Sequence, residues 1–224
     1  MSVYQLNREI AFPHPSLANE NGLLAVGGDL SPERIITAYA NGIFPWYNKG
    51  EPILWWSPNP RCIMFPENFR ASKSLKLLIK KNIFEVRYDT AFSSVISRCA
   101  KVHQANQSET WITSEMKKAY ILLHKLGFAH SVEAYVNNEL VGGLYGIAIG
   151  KVFYGESMFH TVSNASKVAF YFLVDRLNQW RFDIIDNQMT TDHLLKLGAE
   201  EIDRDKFLAI LKKSIVKENH SGKW

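Results

Sequence analysis

The chain has 224 residues, 46% hydrophobic and 12% aromatic, and its 26 basic and 22 acidic residues leave a net charge of +4. That apolar content supplies a core and excludes a disordered chain, while so mild a charge permits an anionic partner without demanding one. Cys62 and Cys99 are too few for a disulfide framework, no Cys/His cluster has metal-ligand spacing, and no apolar run reaches the roughly 18 residues that span a bilayer, so a cytoplasmic protein without a metal is expected.

Residues 1–66 are rich in Pro, Gly and Trp, and are expected to form a small N-terminal domain. One helix stands out there, capped by Ser31, opened by Pro32 and ended by Gly42. The prolines of IFPWYNKGEPILWWSPNPR then exclude a long helix and favour short strands and loops.

The remainder, 67–224, alternates helical and strand patterns. Helices are predicted after Ser72 (KSLKLLIKK), Asp89 (TAFSSVISRCA) and Thr113 (SEMKKAYILLHKL), the last stopped by Gly127. Residues 130–159 read as antiparallel strands joined by turns at Asn137-Asn138 and Gly150-Lys151. A helix through ASKVAFYFLVDRL follows, with Ser163 or Asn164 as its cap. FDIIDNQM then reads as a buried strand, TTDHLLKLG as a short helix closed by Gly198, and DKFLAILKKSIVK as a final amphipathic helix. A strand meander, a long helix, a strand and another helix make an α+β domain with a mixed sheet. That order is compatible with an acetyltransferase-like (GNAT-like) fold.

Three groups of residues could carry chemistry. Glu156 ends a mostly apolar strand, and Asp186 and Gln188, two apart, should share one strand face with Phe182 and Ile184. Burying such groups is costly unless they are hydrogen-bonded. Asp186 capping the next turn and Gln188 meeting water fits the pattern equally well. Trp46, Trp55, Trp56 and Trp111 fall in or near loops, where an indole can stack on a base or anchor a small core. Lys73, Lys76, Lys80 and Lys81 form one helix face, suited to phosphates or simply solvated. His160 and His193 have no recognisable partner. No GxGxxG or GxxxxGK[ST] loop occurs, which removes the common nucleotide-binding readings.

The stretch FPHPSLANENGLLAVGGDLSPERIITAYANGIFPWY, followed by PILWWSPNPR, TWIT, HSVEAYVNNELVGGLYGIAIGKVFYGESMF, NASK, IDNQ and HLLKLGA, resembles the leucyl/phenylalanyl-tRNA–protein transferases in the same order. The match runs from about residue 10 to about residue 210. The resemblance implies a small N-terminal domain packed on an acetyltransferase-like domain. It implies transfer of Leu or Phe, and less readily Met, from aminoacyl-tRNA to proteins beginning with Arg or Lys, as a mark for degradation. No cofactor is implied, and a monomer is the default.

By this resemblance Asp186 would hold Gln188, Gln188 would touch the attacking amine, and Glu156 would position the aminoacyl end. Leu144, Phe153, Phe170 and Leu173 would form the side-chain pocket. Tyr39, Trp46 and Trp111 would surround the terminal adenosine, and the lysines at 73–81 would meet the acceptor stem. His160 stands where many members carry serine, and Leu144 and Phe170 look like exchanges among apolar pocket residues. The tail after Lys217 is assigned no role. Two rivals are an acetyl-CoA-dependent N-acetyltransferase, whose [QR]xxGx[GA] turn does not occur here, and a non-catalytic binder of charged tRNA.

Overall fold

The computed structural model describes residues 3–107, 110–220 and 222–224. In the first part of the chain β1 (Tyr4–Leu6), β2 (Leu23–Gly27), β3 (Phe44–Pro45) and β4 (Leu54–Trp56) surround helix α1 (Pro32–Ala40). Ser31 caps α1 by accepting from the Arg34 N–H, and Gly42 ends it at φ 72°, both at the positions the sequence marks. Strands β1, β2, β4 and β3 line up in that order as one sheet, parallel only between β1 and β2.

The chain then enters a larger sheet through β5 (Arg61–Met64). After it come α2 (Lys73–Lys80), β6 (Glu85–Tyr88), α3 (Phe92–Gln107), α4 (Ser114–Lys125), β7 (Ala129–Val136), β8 (Glu139–Ile149) and β9 (Val152–His160). Helix α5 (Ala165–Gln179), β10 (Ile184–Gln188), α6 (Asp192–Lys196), β11 (Glu200–Ile202) and α7 (Arg204–Ser214) complete the order. Among the described residues the second sheet runs β11-β5-β10-β9-β8-β7-β6. Its pairs are antiparallel except β9 with β10. The α+β class and mixed sheet expected from element order are therefore present. The change of sheet falls between Trp56 and Arg61, ahead of residue 66, because β5 pairs with β10 and β11.

Two layers of apolar side chains flank the large sheet. On one face, Ala169, Phe170, Leu173, Val174 and Leu177 of α5 pack with Cys62, Met64, Leu144, Phe153 and Ile185. On the other, residues of α3, α4 and α7 pack with Ile63, Tyr145, Ile147, Tyr154 and Ile184. Leu24, Ile35, Tyr39 and Trp55 join that second cluster, so the small sheet and the large one share a continuous core.

Local chemistry explains most turns. Asn137 and Asn138 both take positive φ, 50° and 64°, the pair of left-handed residues a tight hairpin needs. Ser72 and Thr113 cap α2 and α4 as predicted. Asp89 does not cap α3. It is buried against His130 and the Ser131 N–H, while Glu133 accepts from the Thr90 and Ala91 N–H groups just ahead of α3. Asn164 precedes α5 in a left-handed conformation and makes no capping bond through its side chain. The tail, assigned no role from the sequence, packs on the group formed by Asp89 and His130. Trp224 stacks on His130 with ring centroids 4.1 Å apart, lies 5.7 Å from Phe153, and donates its backbone N–H to Asp89.

Gly146 lets β8 and β9 close. A Cβ there would stand 2.2 Å from the Tyr154 carbonyl oxygen and 2.5 Å from the Phe153 ring. Gly146→Ala should therefore lower stability by about 2 kcal/mol through overpacking, seen as a lower urea midpoint at unchanged m value.

Candidate active site

Strands β9 and β10 pair in parallel over only three residues, from Ile184 opposite Val152 to Asp186 opposite Tyr154. Beyond that point a cavity of about 300 Å³ opens. Leu144, Phe153, Met158, Phe170, Leu173 and Leu194 give it an apolar lining, and Glu156, Asn187 and Gln188 add polar groups. The four pocket residues named from the sequence thus come together, and two of the three named as catalytic join them. Met158 and Leu194 extend that apolar wall. In the sequence they resemble ordinary core positions.

Glu156 reaches the cavity through a strand irregularity. Tyr145 of β8 pairs with Ser157, but the next residue, Gly146, pairs with Gly155, leaving Glu156 as the extra residue of a bulge. Its carboxylate accepts a 2.6 Å hydrogen bond from the Tyr39 hydroxyl on one oxygen and a 3.2 Å bond from Tyr120 on the other. The two phenol oxygens are themselves 2.6 Å apart. Burial, and then the nearby carboxylate, push both phenols well above their ordinary range, so they remain protonated donors. Burial also pushes Glu156 up to about 7 despite those two bonds, with the Asp186 charge acting in the same direction.

Asp186 and Gln188 do not share a face. A register shift falls between them, and Gln188 takes φ 57°, which breaks the alternation that would align them. Phe182 and Ile184 likewise belong to opposite core clusters. Asp186 is 0% exposed and does not line the cavity. Arg61 grips it with two bonds, Nε to Oδ1 at 2.8 Å and Nη2 to Oδ2 at 2.7 Å. Asp186 holds Gln188 through the backbone, accepting its N–H at 3.0 Å. The Gln188 side-chain amide instead points at Glu156, with Nε2 3.5 Å from Oε1.

Other sites expected from the sequence fall elsewhere. Tyr39 is fully buried, its ring edge-on to Tyr154 at 4.9 Å, so it presents no face to a base. The apolar face of α1 turns it inward, and only its hydroxyl reaches Glu156. Trp46 is 40% exposed and lies edge-on to Trp56, which donates its indole N–H to the Trp46 carbonyl. Trp111 is partly buried against the core. Lys73, Lys76, Lys80 and Lys81 are all exposed, and Lys76 lines a small groove beside Asp175 of α5. His160 closes β9 near the Ser166 hydroxyl, 3.3 Å away, and is not part of the cavity wall. His193 does line the cavity; burial and then Lys167 and Lys196 hold its imidazole below the usual value.

Two contributors escaped the sequence reading. Tyr120 sits among Met116 and Leu123 on the apolar stripe of α4 and looks there like any core residue. Arg61 had a usable signal, since a charge opening the apolar run RCIM demands a buried partner.

The raised carboxyl has a consequence for stability. The folded state holds the Glu156 proton more tightly than the unfolded chain, whose carboxyl titrates at about 4.3. Its stabilising contribution is complete below that value and is lost as pH rises through about 7. The urea midpoint of the native protein relative to Glu156→Gln should therefore fall between about pH 4 and pH 7 and level off above that. A difference that stays constant would place the carboxyl titration outside that window.

Comparison with known proteins agrees along the whole chain. Residues 28–59 match the model for the leucyl/phenylalanyl-tRNA protein transferase N-terminal domain, and residues 63–212 match that for the leucyl/phenylalanyl-tRNA protein transferase. A leucyl/phenylalanyl-tRNA–protein transferase of Desulfatibacillum aliphaticivorans is 55% identical over 224 residues, covering 100% of this chain and 96% of the relative. One of Syntrophobacter fumaroxidans is 52% identical with the same coverage. Among solved structures, an aminoglycoside acetyltransferase from an uncultured soil sample is similar at a TM-score of 0.41 and 12% identity, over 64% of this chain and 96% of that one. With family models spanning most of its length and relatives above half identity end to end, the chain belongs to the leucyl/phenylalanyl-tRNA–protein transferase family.

Proposed function

We propose that this protein transfers leucine or phenylalanine, and methionine less readily, from aminoacyl-tRNA to the α-amine of proteins beginning with Arg or Lys. The observation that carries the reading is an apolar cavity with Glu156 and Gln188 on its wall, in a chain of this family. The product would carry a destabilising N-terminus, read by the degradation machinery. Family membership does not favour the acetyl-CoA-dependent alternative.

In this reading Leu144, Phe153, Phe170 and Leu173 receive the transferred side chain, joined by Met158 and Leu194. An apolar slot of this kind separates ligands by only about 1–3 kcal/mol per methylene, which suits an enzyme that accepts Leu, Phe and Met. Glu156 holds the amino group of the aminoacyl end. Gln188 stands where the acceptor amine approaches the ester carbonyl. Attack forms the peptide bond and releases the ribose oxygen of the terminal adenosine, which takes up a proton as the amine loses one.

The chemistry needs little acid–base help. An α-amine with a pKa of about 7.7–8.0 is roughly one-tenth to one-sixth neutral at pH 7, so deprotonating it costs only about 1 kcal/mol. Positioning and stabilisation of the developing oxyanion carry most of the rate. Asp186, sealed behind the cavity by Arg61, serves this arrangement without touching the amine.

Trp46 and Trp111 are proposed as the platform for the terminal adenosine. The lysines at 73, 76, 80 and 81 would meet acceptor-stem phosphates without regard to sequence. The donor and acceptor meet on a single copy of the chain. No helix among the described residues is long and apolar enough to cross a membrane.

Radiolabelled leucine supplied as Leu-tRNA should pass to a peptide beginning with Arg and not to one beginning with Ala. Charged-tRNA binding by folded protein without transfer to either peptide would instead make it a binding module. Trp111→Ala should weaken charged-tRNA binding by about 1–3 kcal/mol, the worth of one stacked base, with a smaller effect on kcat. Unchanged affinity in a filter-binding titration would remove Trp111 from the adenosine site.

A further inference from the structure

Arg61 opens β5 and is 0% exposed, as is the carboxylate it grips. Its guanidinium lies over two rings, Phe44 of β3 at 4.9 Å and Phe207 of α7 at 4.7 Å. The small sheet, the large sheet and α7 therefore all fix the plane of one side chain. A fork held this firmly leaves Asp186 a single orientation, since both carboxylate oxygens are engaged by parallel N–H donors.

The oxygen that accepts from Arg61 Nε also accepts the Gln188 N–H. Gln188 takes a left-handed backbone, φ 57°, which is uncommon for a residue with a Cβ. That turn carries the Gln188 amide out of the sheet face and across to Glu156. The path from Arg61 to the cavity thus runs through two bonded contacts and one strained residue. With its oxygens occupied by these three donors and no place on the cavity wall, Asp186 is poorly suited to take a proton from an amine.

We propose that Arg61 is a positioning residue for the transfer reaction: its fork fixes Asp186, and Asp186 in turn holds the left-handed turn that sets the Gln188 amide against Glu156. The proposal rests on the transferase reading for its kinetic consequence, but not for its structural one. Charge alone does not suffice. A lysine keeps the cation and loses both the parallel pair of donors and the planar stacking on the two rings.

The test uses Arg61→Lys in the full chain, read two ways. In steady-state transfer to the Arg peptide, kcat should fall by roughly tenfold or more while KM for charged tRNA stays within about twofold, the signature of a lost transition-state interaction. Arg61→Lys combined with Asp186→Asn should fall no further than the worse single variant, because both act through one contact. In the ligand-free protein, the side-chain amide resonances of Gln188 should follow the titration of Glu156 in the native chain and cease to follow it in Arg61→Lys. Retained coupling in the variant overturns the proposal whatever the kinetics show. Coupling that is present in the native chain and lost in Arg61→Lys, with no leucine transferred by the native protein, upholds it and sinks the transferase reading instead. If Arg61→Lys does not fold, Arg61→Gln with Asp186→Asn, which removes both charges and keeps hydrogen-bonding groups, replaces it. Native kcat and native Gln188 coupling in that pair would show that the fork is dispensable, and loss of both supports the proposal.

Discussion

The cavity exists because the parallel ladder between β9 and β10 stops after Tyr154 and Asp186. Elsewhere in the large sheet neighbouring strands run antiparallel, and the long pairs β7–β8 and β8–β9 match eight partner positions each, with one register shift in each pair. Where β9 and β10 part, each strand departs from regular pleating, one by the bulge at Glu156 and the other by the left-handed turn at Gln188. These two irregularities bring a carboxylate and an amide together from adjacent strands. Helix α5 covers the gap with Phe170 and Leu173, which makes it an apolar cavity with polar groups confined to part of its wall.

Two carboxylates close to this opening lie in different surroundings. Asp186 is paired with an arginine in a fully buried site, and removing one partner of such a pair typically costs about 3–5 kcal/mol because the other charge is stranded. Among the described residues Glu156 has no ion-pair partner. It accepts from two phenols, and burial pushes its carboxyl up to about 7. The resulting division separates a paired carboxylate that shapes the backbone from one that lines the cavity. It is the pattern by which environment, and not residue type, assigns roles to neighbouring acids.

The small N-terminal sheet belongs to this site as well as to its own unit. Tyr39 of α1 supplies the short bond to Glu156, and Phe44 of β3 covers the guanidinium that holds Asp186. The shared core between the two sheets keeps both side chains in register with the cavity. From the other side, Trp224 packs against Phe153, so a residue of the polar tail supports the cavity wall.

Element order and most caps and turns were legible from the sequence because each depends on local pattern, and the apolar pocket set was legible through the family resemblance. Ser31, Ser72 and Thr113 cap where they are placed, the Asn137-Asn138 pair supplies its own left-handed conformations, and Leu144, Phe153, Phe170 and Leu173 meet at one cavity. Motif agreement along nearly the whole chain also carried the family. What tertiary structure alone decided was direction. Strict alternation puts Asp186 and Gln188 on one face, but a register shift against β5 separates them, and that shift is set by pairing with a strand some 125 residues earlier. Tyr39 reads as an aromatic available for stacking, yet packing of α1 buries its ring and leaves only the hydroxyl to work. Arg61 and Tyr120 gain their parts from partners distant in sequence, Asp186 and Glu156. Local pattern fixes what a residue can do, whereas long-range pairing and burial fix which neighbour it does it to.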